Sequence, residues 1–253
     1  MPYYRSEGIV LRKTDYGNTS VVLNVLAREN GRIGLIAKGI KRGGTAYESE
    51  PELFTINDFV FSLRGEHALG ALTESAVIDD MRGIGKKVER FFAACYIAEL
   101  LLDLAPEGQP LPEIYEAAAA ALRAVAKADR VAPNVFAFEV TLLGLLGHRP
   151  ALAACVECGE LRGRLNEIAF SALKGGYLCA KCKSADRNAI AVRGSTAALL
   201  EALAKHGASP SRAGRLGIGK DAARDLRRAL DHFFTFLRER PSKTLRYMQL
   251  LYK

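Results

Sequence analysis

Apolar and polar residues alternate in short runs along the first 80 residues, and turn signals interrupt these runs. A period of two is typical of β-strands that bury one face. Residues 29–31 (Glu-Asn-Gly) and 65–67 (Gly-Glu-His) supply hairpin turns. Five strands of this length suit a small closed barrel, for which an OB-fold is the first choice and an SH3-like barrel the main rival. The predicted strands are 6–13, 20–28, 32–41, 58–64 and 71–78.

The period changes to 3.6 after the charged, glycine-containing segment 81–87. This change indicates a domain boundary, with an OB-fold domain at 1–80 and a helical domain at 81–253. The fold class predicted is therefore α+β and multidomain, a five-stranded OB-fold barrel followed by helices. The predicted helices are 88–104, 112–128, 133–146, 195–205 and 220–238.

Four cysteines occur as two C-x-x-C pairs, Cys155 with Cys158 and Cys179 with Cys182. Two such pairs at this separation are typical of a four-cysteine zinc ribbon, which we place at 151–190 as an insertion in the helical domain. We expect one structural Zn²⁺. A four-sulfur site has no open coordination position, so the ion should stabilise the ribbon and activate no water. Redox dithiols or metal-free cysteines are the alternative.

The charge of the chain favours an anionic partner, since the formal net charge is +8 and the pI is near 9.3. Basic residues outnumber acidic ones about two to one over 151–253, whereas the two signs nearly balance before that. A solvated, solubilising face is the alternative explanation. The charged first twenty residues lack the apolar core of a signal peptide, and paired cysteines suit a reducing compartment. We expect a cytoplasmic protein with no membrane partner.

Motifs for catalysis are few. The four histidines are scattered, no nucleophile stands beside an evident base, and no NTPase phosphate loop occurs. Residues 214–220 are rich in glycine and basic, but they lack the preceding strand and the hydroxyl of such a loop. The start of the helix that follows them could still receive a phosphate. We predict that the chain is not an enzyme.

A basic segment ends the third predicted strand, where Lys38, Lys41 and Arg42 stand among glycines. Glycines let a phosphodiester backbone approach closely, and the cations suit its phosphates. On composition alone, an ordinary charged hairpin end explains the segment equally well.

Distinctive motifs occur in order along the whole chain. Residues 7–20 read EGIVLRKTDYGNTS, residues 31–42 read GRIGLIAKGIKR, and residues 241–247 read PSKTLRY. The first two resemble the opening strand, the Asp-Tyr turn and the Ala-Lys-Gly strand of the RecO family of bacterial recombination mediators. The four-cysteine ribbon is similar to that of zinc-bearing members. The last motif is similar to their C-terminal Lys-Ser-Leu element, with Thr244 in place of the usual serine.

The resemblance implies a protein of recombinational DNA repair that acts after DNA damage without hydrolysing nucleotides. The family binds single- and double-stranded DNA, anneals complementary strands and joins RecR. It also engages single-stranded-DNA-binding protein to help load RecA, and it associates with the nucleoid during repair. Lys38, Lys41 and Arg42 match the family's basic loop and are expected to contact DNA. Arg32, on the same hairpin, is a further candidate.

Charge density alone adds three C-terminal candidates for DNA contact: Arg224, Arg227 and Arg228. A competing function is a zinc-ribbon and OB-fold accessory factor of transcription or translation, which binds a polymerase or RNA. Such a factor should not speed the annealing of complementary DNA.

Overall fold

The computed structural model describes residues 2–42, 47, 50–63, 69–163, 165–206 and 217–248. Its first five strands close into a barrel in the order β1-β2-β3-β5-β4, in which β3 and β5 run parallel and the other neighbours antiparallel. This is an OB-fold arrangement, so the predicted barrel is confirmed. Residues 64–68, which include the predicted turn at 65–67, lie outside the described residues. The strands are β1 Tyr3–Tyr16, β2 Ser20–Ala27, β3 Gly31–Ala37, β4 Ile56–Ser62 and β5 Gly70–Asp79.

The barrel closes because β1 is long enough to pair with two neighbours. Its first half pairs with β4 and most of its length with β2, with a bulge between Val10 and Arg12. A bulge bends a strand and increases its twist. A Cβ at Gly8 would come within 2.4 Å of Val25 Cγ1, so glycine is needed where β1 passes so close to the barrel core.

Alternation along the strands fills the barrel with β-branched and aromatic side chains. Val21, Leu23 and Val25 of β2 are all fully buried, and Phe59 and Phe61 of β4 pack in the same core. The period-two pattern therefore predicted correctly which side chains of these strands point into the barrel. Phe59 and Phe61 belong to the core and are not available as base-stacking surfaces.

The helices follow the 3.6-residue pattern within two residues of the predicted ends. The longest, α5, places Leu226, Leu230, Phe233 and Phe234 on one buried face. A three-stranded sheet of order β7-β6-β8 lies between α3 and α4 in sequence. No helix in the described ranges is long and apolar enough to cross a membrane. The elements are α1 Val88–Leu104, α2 Pro112–Lys127, α3 Ala132–Leu145, β6 Glu167–Ser171, β7 Gly176–Leu178, β8 Ile190–Arg193, α4 Gly194–His206, α5 Lys220–Arg238 and α6 Leu245–Met248.

The chain divides into two compact units, Met1–Lys127 and Ala128–Lys253. The boundary predicted near residue 80 coincides with the end of the last barrel strand, but α1 and α2 belong to the same unit as the barrel. The turn before β3 fits tightly against the α1–α2 loop, since a Cβ at Gly31 would lie 2.1 Å from the carbonyl oxygen of Gln109. Hydrophobic periodicity predicts where strands are followed by helices. It does not predict which helices pack in the same unit as the barrel.

Candidate metal centre and basic surfaces

The two C-x-x-C pairs each form a tight turn. In the first turn, the Cys155 N–H donates to Glu160 O (2.8 Å) and the Gly159 N–H donates to Cys155 O (2.9 Å). Gly159 has a φ of +76°, a conformation that favours glycine. The second turn follows β7 directly, and there the Cys182 N–H donates to Cys179 O (3.0 Å).

These turns bring the four predicted ligands together. All four Sγ atoms lie within 4.8 Å of one another, and Cys158 Sγ is 3.7 Å from Cys179 Sγ. Tetrahedral Zn²⁺ with Zn–S bonds of about 2.3 Å needs sulfur–sulfur distances of about 3.8 Å. The cluster therefore fits a metal ion. Among the described residues, no other group of His, Cys, Asp or Glu comes close enough to hold one.

The crowded thiols differ in acidity. Burial opposes ionisation of Cys155, but backbone N–H groups of Cys179, Cys158 and Glu157 lower the pKa of its thiol to about 6. Hydrogen bonding to the sulfurs of Cys158 and Cys179 raises the pKa of Cys182 to about 12. Cysteine binds metal as the thiolate, so a divalent cation held by all four sulfurs would displace their remaining protons.

A buried carboxylate fixes the chain that follows the second turn. Asp186 is 5% exposed, and its Oδ2 accepts a hydrogen bond of 2.6 Å from Ser171 Oγ at the end of β6. Its Oδ1 accepts the Asn188 N–H at 2.8 Å. Both oxygens are thus satisfied: the Ser171 hydrogen bond holds the chain after the second turn to the sheet, and the Asn188 hydrogen bond stabilises the local turn.

The basic segment after β3 lies at one rim of the barrel. Pairing of Val21 with Ala37 places the end of β3 beside the β1–β2 turn. Buried Ile40 anchors the segment, and Lys38 and Arg42 on either side of it are exposed. Within the described ranges, no ion pair joins Lys38 or Arg42 to a carboxylate.

Lys41 differs from its two basic neighbours because it already has an acidic partner. Its Nζ lies 2.6 Å from Asp15 Oδ1 on β1, and the hydrogen bond from Lys41 lowers the pKa of Asp15. The Asp15 side chain remains 69% exposed. Sequence reasoning missed this pair, and only the strand register could have revealed it, since the two residues are far apart in the chain.

Arg32 holds the barrel to the α1–α2 loop. Its Nε donates to Ala105 O (3.1 Å), its Nη2 lies 3.3 Å from Glu107 Oε2, and its backbone N–H donates to Pro106 O (3.3 Å). The guanidinium of this predicted DNA contact is thus engaged within the first unit.

The three predicted arginines of α5 have different surroundings. Arg224 is 75% exposed and pairs with Asp221 (2.9 Å), and Arg228 is exposed and donates to the carbonyl of Ala191. Arg227 points inward, where its Nη2 lies 2.7 Å from Oε1 of Glu139, a fully buried residue. Arg227 balances a buried charge and presents little of its guanidinium to solvent.

An apolar cavity in the second unit was not foreseen. It has a volume of about 790 Å³ and lies between α3, α4 and residues 149–156. The Arg162–Glu201 ion pair (3.0 Å) borders it. Its walls come from three separate stretches of the chain, so no local sequence signal could have indicated it.

The predicted glycine-rich entry to α5 is only partly described, because residues 214–216 lie outside the described ranges. Gly219 precedes the helix in an extended conformation and offers no side-chain cap, and Lys220 at the first position of α5 is exposed. Whether the start of α5 receives a phosphate stays a prediction.

Comparison with known proteins gives matches along nearly the entire chain. Residues 1–81 match the family model described as Recombination protein O N terminal, and residues 86–246 match Recombination protein O C terminal. A DNA repair protein RecO of Bacillus pumilus is 31% identical over 230 residues, which are 91% of this chain and 87% of the relative. The RecO of Bacillus subtilis is 28% identical over the same share of this chain and 88% of its own. That of Rhodopirellula baltica is 33% identical over 69% of this chain and 65% of the relative.

Proposed function

We propose that this chain, which belongs to the RecO family, is a non-enzymatic mediator that binds and anneals DNA. Membership of the family gives it a role in DNA repair and recombination. It takes both single- and double-stranded DNA and brings complementary strands together. The observation that carries this proposal is the closed OB-fold barrel with exposed cations at its rim, in a chain of this family.

Contact with DNA at the barrel is electrostatic. Lys38 and Arg42 face solvent without a described acidic partner, and Lys41 reaches phosphate by exchanging Asp15 for it. Each phosphate contact releases condensed counterions, so binding weakens as salt rises and depends little on sequence. Glycines beside the cations let the strand backbone approach.

In the second unit, Arg224 and Arg228 are the exposed members of the predicted set and supply a second contact with DNA. Arg32 and Arg227 are left out, because their guanidinium groups are engaged with Glu107 and Glu139. With two basic surfaces, one on each unit, two strands can be held so that base pairing itself drives annealing. This mechanism needs no catalytic residue and no nucleotide.

The cysteine cluster holds one structural Zn²⁺ through Cys155, Cys158, Cys179 and Cys182. The support is the tight packing of four sulfurs at distances that suit a tetrahedral ion. The ion stabilises the ribbon and takes no part in chemistry, since four sulfurs fill its coordination shell.

The same proposal includes the partners of a recombination mediator. The chain joins RecR, engages single-stranded-DNA-binding protein and so helps RecA to load on coated DNA, and it acts in the bacterial cytoplasm at the nucleoid. The support for these partners is membership of the family.

An annealing assay tests the proposal against an accessory factor of transcription or translation. Purified protein, without any nucleotide, should speed pairing of bare complementary DNA strands well above the spontaneous rate. A protein that binds RNA or a polymerase and leaves DNA annealing unchanged would favour the accessory-factor alternative. Strong DNA-stimulated ATP hydrolysis in a pure preparation would contradict a non-enzymatic role.

A further inference from the structure

A groove of about 580 Å³ crosses the small sheet of the second unit. Its floor is apolar, and there Ala169 of β6 and Ala191 of β8 are paired neighbours on the face opposite buried Phe170. Leu178 of β7 and Leu165 line the groove as well. The segment 180–191, which follows the second cysteine turn, forms its wall. The two alanines leave room for a ligand above their part of the sheet.

Positive charge surrounds this groove. Lys183 and Arg187 line it and are exposed, and neither forms an ion pair with another residue of the described ranges. Arg228 of α5 reaches the same edge, where it donates to the carbonyl of Ala191. One cation of α5 therefore lies beside a residue that lines the groove.

The acidic residues nearby do not cancel this charge. Asp186 is buried and directs both oxygens into the protein, towards Ser171 and Asn188. Glu167 lines one end of the groove and is exposed, since its cross-strand partner Arg193 pairs with Asp225 instead. The exposed charged side chains of the lining are therefore two cations, Lys183 and Arg187, and one acid.

The negative charge of a metal-bound cysteine cluster can explain Lys181, but it does not explain the two cations of the groove. Four thiolates with one Zn²⁺ would carry two negative charges, and Lys181 stands between Cys179 and Cys182. Lys181 does not line the groove, whereas Lys183 and Arg187 do. Neutralising the metal centre therefore does not explain the whole basic set.

We propose that this groove binds the phosphodiester backbone of a second DNA strand while the barrel rim holds the first. The inference rests on the proposed function and adds to it a site, with Lys183 and Arg187 as phosphate contacts beside Arg228. A DNA strand is the occupant that fits, because the wall offers exposed cations without an ion-pair partner in the described ranges, and the mostly apolar floor offers few groups that could read bases.

The test uses the full chain with its zinc and two charge-matched double variants. Lys183→Ala with Arg187→Ala removes two cations from the groove. Lys174→Ala with Lys205→Ala removes two from the same unit away from the groove. Each protein is first saturated with a short unlabelled single strand, and binding of a labelled, non-complementary second strand is then measured against salt. Zinc content is measured alongside.

We expect the groove variant to bind the first strand as the wild type does. For the second strand, its plot of log K against log salt should flatten by about 1.4, which corresponds to two lost phosphate contacts on single-stranded DNA. Annealing should slow in parallel, and the control variant should match the wild type in both measurements.

A gain-of-charge variant keeps the test informative if the double variant loses zinc. Ser184 lines the groove and is exposed, so Ser184→Arg should steepen the second-strand slope by about 0.7. Second-strand binding that is the same in groove and control variants, or unchanged by Ser184→Arg, would overturn the inference. The proposed function would then still stand if the wild type anneals DNA, and it would fail separately if the wild type does not.

Discussion

The barrel and the cysteine ribbon both carry exposed basic residues, but the two folds are stabilised in different ways. The barrel has five strands, a closed hydrogen-bond network and a core of buried side chains that includes Val21, Leu23, Phe59 and Phe61. The ribbon sheet has strands of only three to five residues, and the four cysteines of its two turns lie together. A closed barrel is stable through its own core, whereas a small insertion depends on a cross-link, and the four cysteines are placed to supply one by holding a metal ion.

The largest effect is expected where that cross-link is removed. Cys179→Ser should lose the bound zinc and unfold the ribbon locally, because zinc binding of about 10–16 kcal/mol in such sites is itself folding free energy. Elemental analysis and limited proteolysis measure both effects. Cys95→Ser, in α1 of the first unit, is the control and should keep one zinc per chain. Wild-type protein with well under one zinc per chain would disprove the metal centre.

The buried ion pair of the second unit gives the next largest effect. Arg227→Ala leaves the fully buried Glu139 without its cation, which should cost about 3–5 kcal/mol of unfolding free energy. Denaturant unfolding measures this loss. Arg224→Ala, exposed on the same helix, should change stability by less than about 0.5 kcal/mol. Equal stabilities of the two variants would show that Arg227 has no structural role and return it to the DNA-contact candidates.

At the barrel rim the expected effect is on binding and not on folding. Lys38→Ala with Arg42→Ala should flatten the salt dependence of single-strand binding by about 1.4, with similar losses of affinity for unrelated sequences. The control is Arg5→Ala with Arg28→Ala, which removes two cations paired with Asp58 and Glu116 on other parts of the first unit. An unchanged slope in the folded rim variant would refute the assignment of this segment.

The smallest effect concerns the acid that competes with DNA for Lys41. Asp15→Asn should raise single-strand affinity about twofold to fivefold, since exposed ion pairs are weak and the amide releases Lys41 to phosphate. Lys41 lowers the pKa of Asp15 below its usual value near 3.8. The pair is lost only as pH falls through that lowered pKa, so the gain should be constant at about pH 6–8.

The control for Asp15 is Asp58→Asn, which breaks the Arg5 ion pair on the same barrel. It should change affinity less than Asp15→Asn does. A fall in affinity for Asp15→Asn would mean that Asp15 positions Lys41 for DNA and does not compete with it.

Sequence patterns predicted the features that depend on residues close together in the chain. Alternation gave the barrel strands, the 3.6-residue period gave α1 to within a residue, and cysteine spacing gave a cluster that the structure confirms. The direction of single side chains could not be read in this way. Arg227 and Arg228 are neighbours in a basic run, yet the helical turn of about 100° per residue sends one to buried Glu139 and the other to the surface. Pairing of Lys41 with Asp15, likewise, depends on strand register across the rim.

Annealing of complementary strands coated with single-stranded-DNA-binding protein, without nucleotide, tests the central claim most directly. The zinc-loaded protein should speed pairing well above the spontaneous rate. The Lys38→Ala with Arg42→Ala variant and the Lys183→Ala with Arg187→Ala variant should each be slower than their charge-matched controls. Wild-type protein that binds these coated strands but leaves their rate of pairing at the spontaneous value would contradict the account.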